Sequence, residues 1–71
     1  MTLLGKVISI DQNRSCLTVE LPLEGKICNI NHFERDSKVK QMCKEGDYLV
    51  IEGNMLPTGQ IEARNMSFCK I

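Results

Sequence analysis

Glu45-Gly46-Asp47-Tyr48-Leu49-Val50-Ile51-Glu52-Gly53 is the stretch whose reading decides the fold. Leu49 and Ile51 share one parity, while Tyr48, Val50 and Glu52 share the other. A period of two with apolar residues on one side marks a half-buried strand. A helix does not fit the same residues, because glycine lies towards both ends and β-branched residues fill the middle. The stretch therefore predicts a strand over 48–52, opened by the Gly46-Asp47 turn and closed by Gly53-Asn54.

Immediately upstream, residues 36–44 predict a short helix. Val39, Met42 and Cys43 lie three and four apart on one face, with Lys38, Lys40 and Gln41 outside. Asp36 or Ser37 can accept the free amide hydrogens of the first turn, and Gly46 suits a left-handed residue after the helix end. Two turns of helix are not stable in isolation, so this one must cover something apolar, such as the open end of a barrel.

Three strands are expected before the helix. Residues 26–31 carry Ile27, Cys28 and Ile30 together with Asn29 and Asn31. Asparagine is depleted in strands, which predicts an edge position or fraying for this one. Residues 16–21 alternate cleanly, with Leu17, Val19 and Leu21 on one side and Cys16, Thr18 and Glu20 on the other. Pro and Gly punctuate the intervening turn at 22–25, and 11–15 is a polar turn. Residues 3–10 hold Val7 and Ile10, which cannot both face inward on a regular strand, so a bulge or strong coiling is expected, with flexibility from Gly5. Downstream, 54–59 is a turn and 60–70 a last strand. A second bulge near Arg64-Asn65 would bring Ile61, Ala63, Met66 and Phe68 to one face.

Strand, strand, strand, short helix, strand, strand describes an all-β domain over 1–71, a five-stranded OB-fold barrel with one short helix between strands 3 and 4. Gly5-Lys6-Val7 with Ile10, the Leu17/Val19/Leu21 strand, Gly25-Lys26-Ile27, Gly46-Asp47 with Leu49 and Ile51, Gly53 and Gly59-Gln60-Ile61-Glu62-Ala63 carry the pattern. In these positions the chain resembles the small nucleic-acid-binding OB proteins: the single-stranded-DNA-binding and primosomal proteins and the translation initiation factor one type. An SH3-like barrel is the structural competitor, and it would not need the helix. Gly5-Lys6-Val7, Ile10-Asp11 and Gly46-Asp47-Tyr48-Leu49-Val50 are also similar to the hydrogenase-maturation chaperones. That family depends on a cysteine directly after the initiator methionine, where this chain has Thr2.

Charge and composition narrow the function. Nine basic residues balance nine acidic ones, so no general field draws the chain towards nucleic acid or anionic lipid, and any anion site must be local. No run of about 18 apolar residues is present, so no membrane span is expected. Met1-Thr2-Leu3-Leu4-Gly5-Lys6 lacks the core and cleavage site of a secretory signal, which makes the cytoplasm the expected compartment. The four cysteines, Cys16, Cys28, Cys43 and Cys69, are then expected to be reduced. None belongs to a Cys-x-x-Cys pair, and free buried cysteine behaves as a small hydrophobe, so no metal is expected. One histidine, no nucleophile motif and no phosphate-cradling glycine loop indicate a non-enzyme without a cofactor.

The OB resemblance implies binding of single-stranded nucleic acid, with DNA slightly favoured over RNA, in a replication or translation setting. The strand 2 and 3 face and its flanking turns would carry it. Such binding needs cations for the backbone and flat side chains for the bases. Lys6, Arg14, Lys26 and Arg64 offer charge; Asn29, Asn31 and His32 offer hydrogen bonds; Phe33 and Tyr48 offer stacking. Each also fits a plain structural role, and Phe68 is expected in the core. The rival expectation is a protein-interaction or assembly-chaperone module acting through Met55 and Leu56 in the 54–58 turn. Self-association is expected as well, because so small a domain has a small core.

Overall fold

The computed structural model describes residues 1–13, 15–33 and 38–70, with residues 31–33 followed by their backbone alone. Five strands and one short helix appear in the order β1 (Thr2–Ile10), β2 (Leu17–Leu21), β3 (Lys26–Phe33), α1 (Lys38–Met42), β4 (Tyr48–Met55) and β5 (Gln60–Phe68). The strands close into a barrel in the order β1-β2-β3-β5-β4. All pairings are antiparallel except β3 with β5, which run parallel. This is the OB-like all-β barrel that the order of the elements predicts.

The inward parity of every strand is apolar. Leu3, Val7, Leu17, Val19, Leu21, Cys28, Ile30, Leu49, Ile51, Ile61, Ala63 and Met66 meet in one core, joined by Val39 and Cys43 from the helix segment. Among the described residues no polar or charged side chain is buried, so the interior stabilises the fold through burial of apolar surface. Cys28 and Cys43 are free thiols within this core, and the Cys43 thiol donates to the Lys40 carbonyl at 3.7 Å.

Both expected bulges are present. In β1 the pairing with β2 shifts between Val7 and Ser9, which turns Ile8 outwards and keeps Val7 inside. In β5 the extra residue is Arg64: Glu52 pairs with Asn65 and Gly53 with Ala63, so Ile61, Ala63 and Met66 all reach the core. Phe68 does not, being 41% exposed. Its register partner Leu49 is buried, but β5 leaves β3 after Ala63, so the last rung has no second neighbour to cover an aromatic ring.

Four further expectations are corrected. Strand β3 is no edge: β2 pairs with its first half and β5 with its second, and its residue Ile27 faces out at 67% exposure. Helix α1 covers Lys38–Met42, so it ends before the expected 44, and residues 36 and 37, with the caps expected at Asp36 and Ser37, lie outside the described residues. Val39 and Cys43, four apart and joined by the Cys43 amide donating to the Val39 carbonyl at 2.9 Å, form the buried side, whereas Met42 is turned off that side and is exposed.

Strand β4 does not stop at Gly53-Asn54 but runs to Met55. At Gly53 the β4 and β5 backbones approach so closely that an added Cβ would run into the Glu62 carbonyl oxygen and crowd Ala63 Cα at 3.0 Å. Glycine is needed there for space and not for a turn. Gly5 likewise provides room, since a Cβ would lie 3.1 Å from Ile51 and 3.3 Å from Val19 inside the core.

Gly46 does take a left-handed φ of 97°, but in a turn that belongs to the barrel. Its amide donates to the Val7 carbonyl at 2.8 Å, and the Val7 amide donates to the Asp47 carbonyl at 2.8 Å. The Asp47 carboxylate accepts from the Lys44 amide at 2.8 Å and fixes the turn. The decisive stretch thus fastens the start of β4 onto the middle of β1.

Candidate functional site

Among the described residues the charged and polar side chains lie outside the core, and register decides which outward residues are neighbours. Lys6 on β1 is opposite Tyr48 on β4 and opposite Glu20 on β2, and Glu20 is opposite Ile27 on β3. These four form one row across four strands. A second row runs Ser9, Thr18, Asn29 and Gln60 across β1, β2, β3 and β5. Thr18 and Glu20 are two apart on β2, so the rows lie roughly 7 Å apart on one surface.

Two contacts order this surface. The Lys6 ammonium sits 5.9 Å from the centre of the Tyr48 ring, within the range of a cation–π contact. The Thr18 hydroxyl donates to Asn29 Oδ1 at 3.0 Å. That bond directs the Asn29 amide nitrogen away from Thr18 as a remaining donor. The Glu20 carboxylate is exposed and makes no hydrogen bond or ion pair with another described residue.

Turns bound the surface on two sides. In the β1–β2 turn the Asp11 carboxylate accepts from the Ser15 amide at 2.6 Å, the Ser15 hydroxyl at 2.7 Å and the Cys16 amide at 3.1 Å. The Ser15 hydroxyl first, and the Cys16 amide next, hold the Asp11 carboxyl below its ordinary value, because they bond its charged form. The β4–β5 turn is closed by backbone: the Leu56 amide donates to the Gln60 carbonyl at 2.7 Å and the Gly59 amide to the Leu56 carbonyl at 2.9 Å. Because Asn29 pairs with Gln60 in parallel register, this turn leaves the sheet beside the first half of β3.

The fold brings together only part of the predicted set. Lys6, Tyr48 and Asn29 share the surface. Lys26 is exposed at the start of β3 but opposite buried Leu21, so it has inward parity and leaves the barrel from its rim. Arg64 is exposed in the β5 bulge beside β4, away from β2. Arg14 lies outside the described residues, as do the side chains of Asn31, His32 and Phe33; the backbones of His32 and Phe33 pair with Glu62 and Ala63. Met55 packs against the core, and both Met55 and Leu56 are half-buried.

Thr18, Glu20, Ile27 and Gln60 are surface neighbours that the sequence reading does not single out. The alternation of β2 marks Thr18 and Glu20 as outward. Nothing local tells that Lys6 and Asn29 flank them, because that depends on which strands pair. Among the described residues the most exposed large apolar side chain is Leu23 at 79%, in the β2–β3 turn, and Ile27 at 67% lies along the same hairpin.

No model of a known protein family matches the chain, no curated protein matches it, and no solved structure matches it. Among the described residues no helix is long and apolar enough to cross a membrane.

Proposed function

We propose that the outward surface of β1, β2 and β3, together with Tyr48, binds single-stranded nucleic acid and catalyses nothing. The observation that carries this reading is the alignment of the Lys6–Tyr48 pair with the Thr18–Asn29 pair through neighbouring positions on β2. Tyr48 supplies a face on which a base stacks, Lys6 a charge for an adjacent phosphate, and Asn29 a donor for a base edge. The resemblance to OB-type proteins of replication and translation points the same way, and DNA is the first ligand to test.

Fluorescence anisotropy with labelled single-stranded DNA, single-stranded RNA and duplex DNA at two salt concentrations tests the reading. Single strands are expected to bind best, with a shallow salt dependence of about 0.7 for each phosphate neutralised. Absence of binding to all three at low salt would end it.

A protein-interaction role is the second reading, and exposed Leu23 and Ile27 favour it over the half-buried Met55–Leu56 turn. Sedimentation of the wild type and of Leu23→Glu distinguishes it. A drop in mass on substitution would identify the β2–β3 hairpin as a contact between copies.

A further inference from the structure

Resting on the single-strand reading, we infer that this surface selects guanine, with Glu20 as the reader of the base edge. A surface that only tracked phosphates would keep carboxylates off its centre. Here Glu20 stands between Lys6 and Ile27 in one row and beside Thr18 on β2, exposed and tied to no other described residue. It cannot serve a phosphate, since like charges repel.

What it can serve follows from donor and acceptor chemistry. An ionised carboxylate is acceptor-only, with two oxygens side by side. Guanine is the base whose pairing edge presents two adjacent donors, N1–H and the N2 amino group, to such a fork. Adenine and cytosine each offer one amino group next to a ring nitrogen acceptor, which opposes the second oxygen. Thymine and uracil flank a single N3–H with two carbonyls, which oppose it on both sides. Single-stranded bases expose this edge to a protein, unlike paired ones.

The neighbouring groups agree with that choice. Thr18 occupies Asn29 Oδ1 at 3.0 Å, so the Asn29 amide nitrogen is the group left to face a ligand, a donor suited to a base carbonyl such as guanine O6. Lys6, 5.9 Å from the Tyr48 ring centre, provides the cation on the other side of Glu20. Ile27, at 67% exposure, supplies an apolar surface against the ring of a base in the same row.

The test uses the full chain and three labelled oligonucleotides of about twelve nucleotides, within the span of one such barrel. One is all thymidine, the second repeats thymidine-thymidine-deoxyguanosine, and the third carries deoxyinosine, which lacks the N2 amino group, in place of deoxyguanosine. Wild type is expected to bind the guanine repeat about tenfold more tightly than the thymidine strand, the size of one good bidentate contact, with the inosine repeat between. Glu20→Gln should lose most of that preference while its affinity for thymidine rises, because a repelling charge is gone.

Equal affinity of the wild type for the thymidine and guanine strands overturns the guanine inference and leaves single-strand binding intact. Retention of the preference by Glu20→Gln overturns the role of Glu20. Failure to bind any of the three strands overturns the single-strand reading and this inference with it.

Discussion

The β4–β5 hairpin and the β2–β3 hairpin are both antiparallel and both part of the closed sheet, yet different forces shape their sequences. In β4–β5 the constraint comes from inside. Gly53 is small because the Glu62 and Ala63 backbone leaves no space for a Cβ, and Arg64 is bulged out so that Ala63 and Met66 can both face the core. In β2–β3 the inward residues are ordinary, and the outward ones are varied: a hydroxyl, a carboxylate, an exposed isoleucine and an asparagine. One hairpin is therefore sensitive to packing changes, and the other should accept them with altered binding.

The largest effect is expected at Gly53. Gly53→Ala forces two backbones apart in the middle of the sheet and should cost on the order of 3 kcal/mol. At about 4–8 °C per kcal/mol for a domain of this size, the melting temperature should fall by well over about 10 °C. A thermal melt that matches wild type would show that β4 and β5 are further apart than described. The matching change in the other hairpin, Thr18→Ala, should alter stability by no more than about 1 kcal/mol, the usual worth of one hydrogen bond.

Next comes Tyr48→Ala. Loss of one base–aromatic stack typically costs about 1–3 kcal/mol, so single-strand affinity should drop roughly 5- to 150-fold, while circular dichroism of the folded protein is retained. Lys6→Ala should weaken binding less and reduce the salt slope by about 0.7, the share of one phosphate. If both variants bind as wild type does, the ligand surface lies elsewhere.

A pH effect is expected in the turn that bounds the β2–β3 surface. Hydrogen bonds from Ser15 and Cys16 lower the Asp11 pKa from 3.8 in the folded chain. A group with a depressed folded pKa binds fewer protons folded than unfolded. Its contribution is therefore complete above that ordinary value and is lost as pH falls below it through the folded pKa. Chemical denaturation of wild type and Asp11→Asn across that range checks the sign: the two curves should differ at neutral pH and converge in acid.

The smallest effect belongs to Leu23. Its 79% exposure means that Leu23→Ser should change stability by less than about 0.5 kcal/mol. Met55→Ala, in the other hairpin, should destabilise by more, because Met55 packs against the core. Equal losses from the two would remove the contrast between the hairpins.

The strands, their inward faces and both bulges were legible because they follow from local chemistry. A parity conflict such as Val7 against Ile10, or Ala63 against Met66, shows in the order of residues, and only a bulge resolves it when one side must be apolar. Leu49, Ile51 and the glycines around them announce a strand on their own. Other features depend on partners distant in sequence. Whether β3 is an edge depends on β5 arriving in parallel beside it, and an asparagine is acceptable at position 29 because the β2 pairing sets it outward against Thr18. The function of Gly53 is invisible until the Glu62 carbonyl is placed against it. Lys6 and Tyr48 are 42 positions apart in the chain and become neighbours only through the β1–β4 register. Periodicity says which way a side chain points; register across the barrel decides what it meets there, and for this chain the candidate surface is made entirely of such meetings.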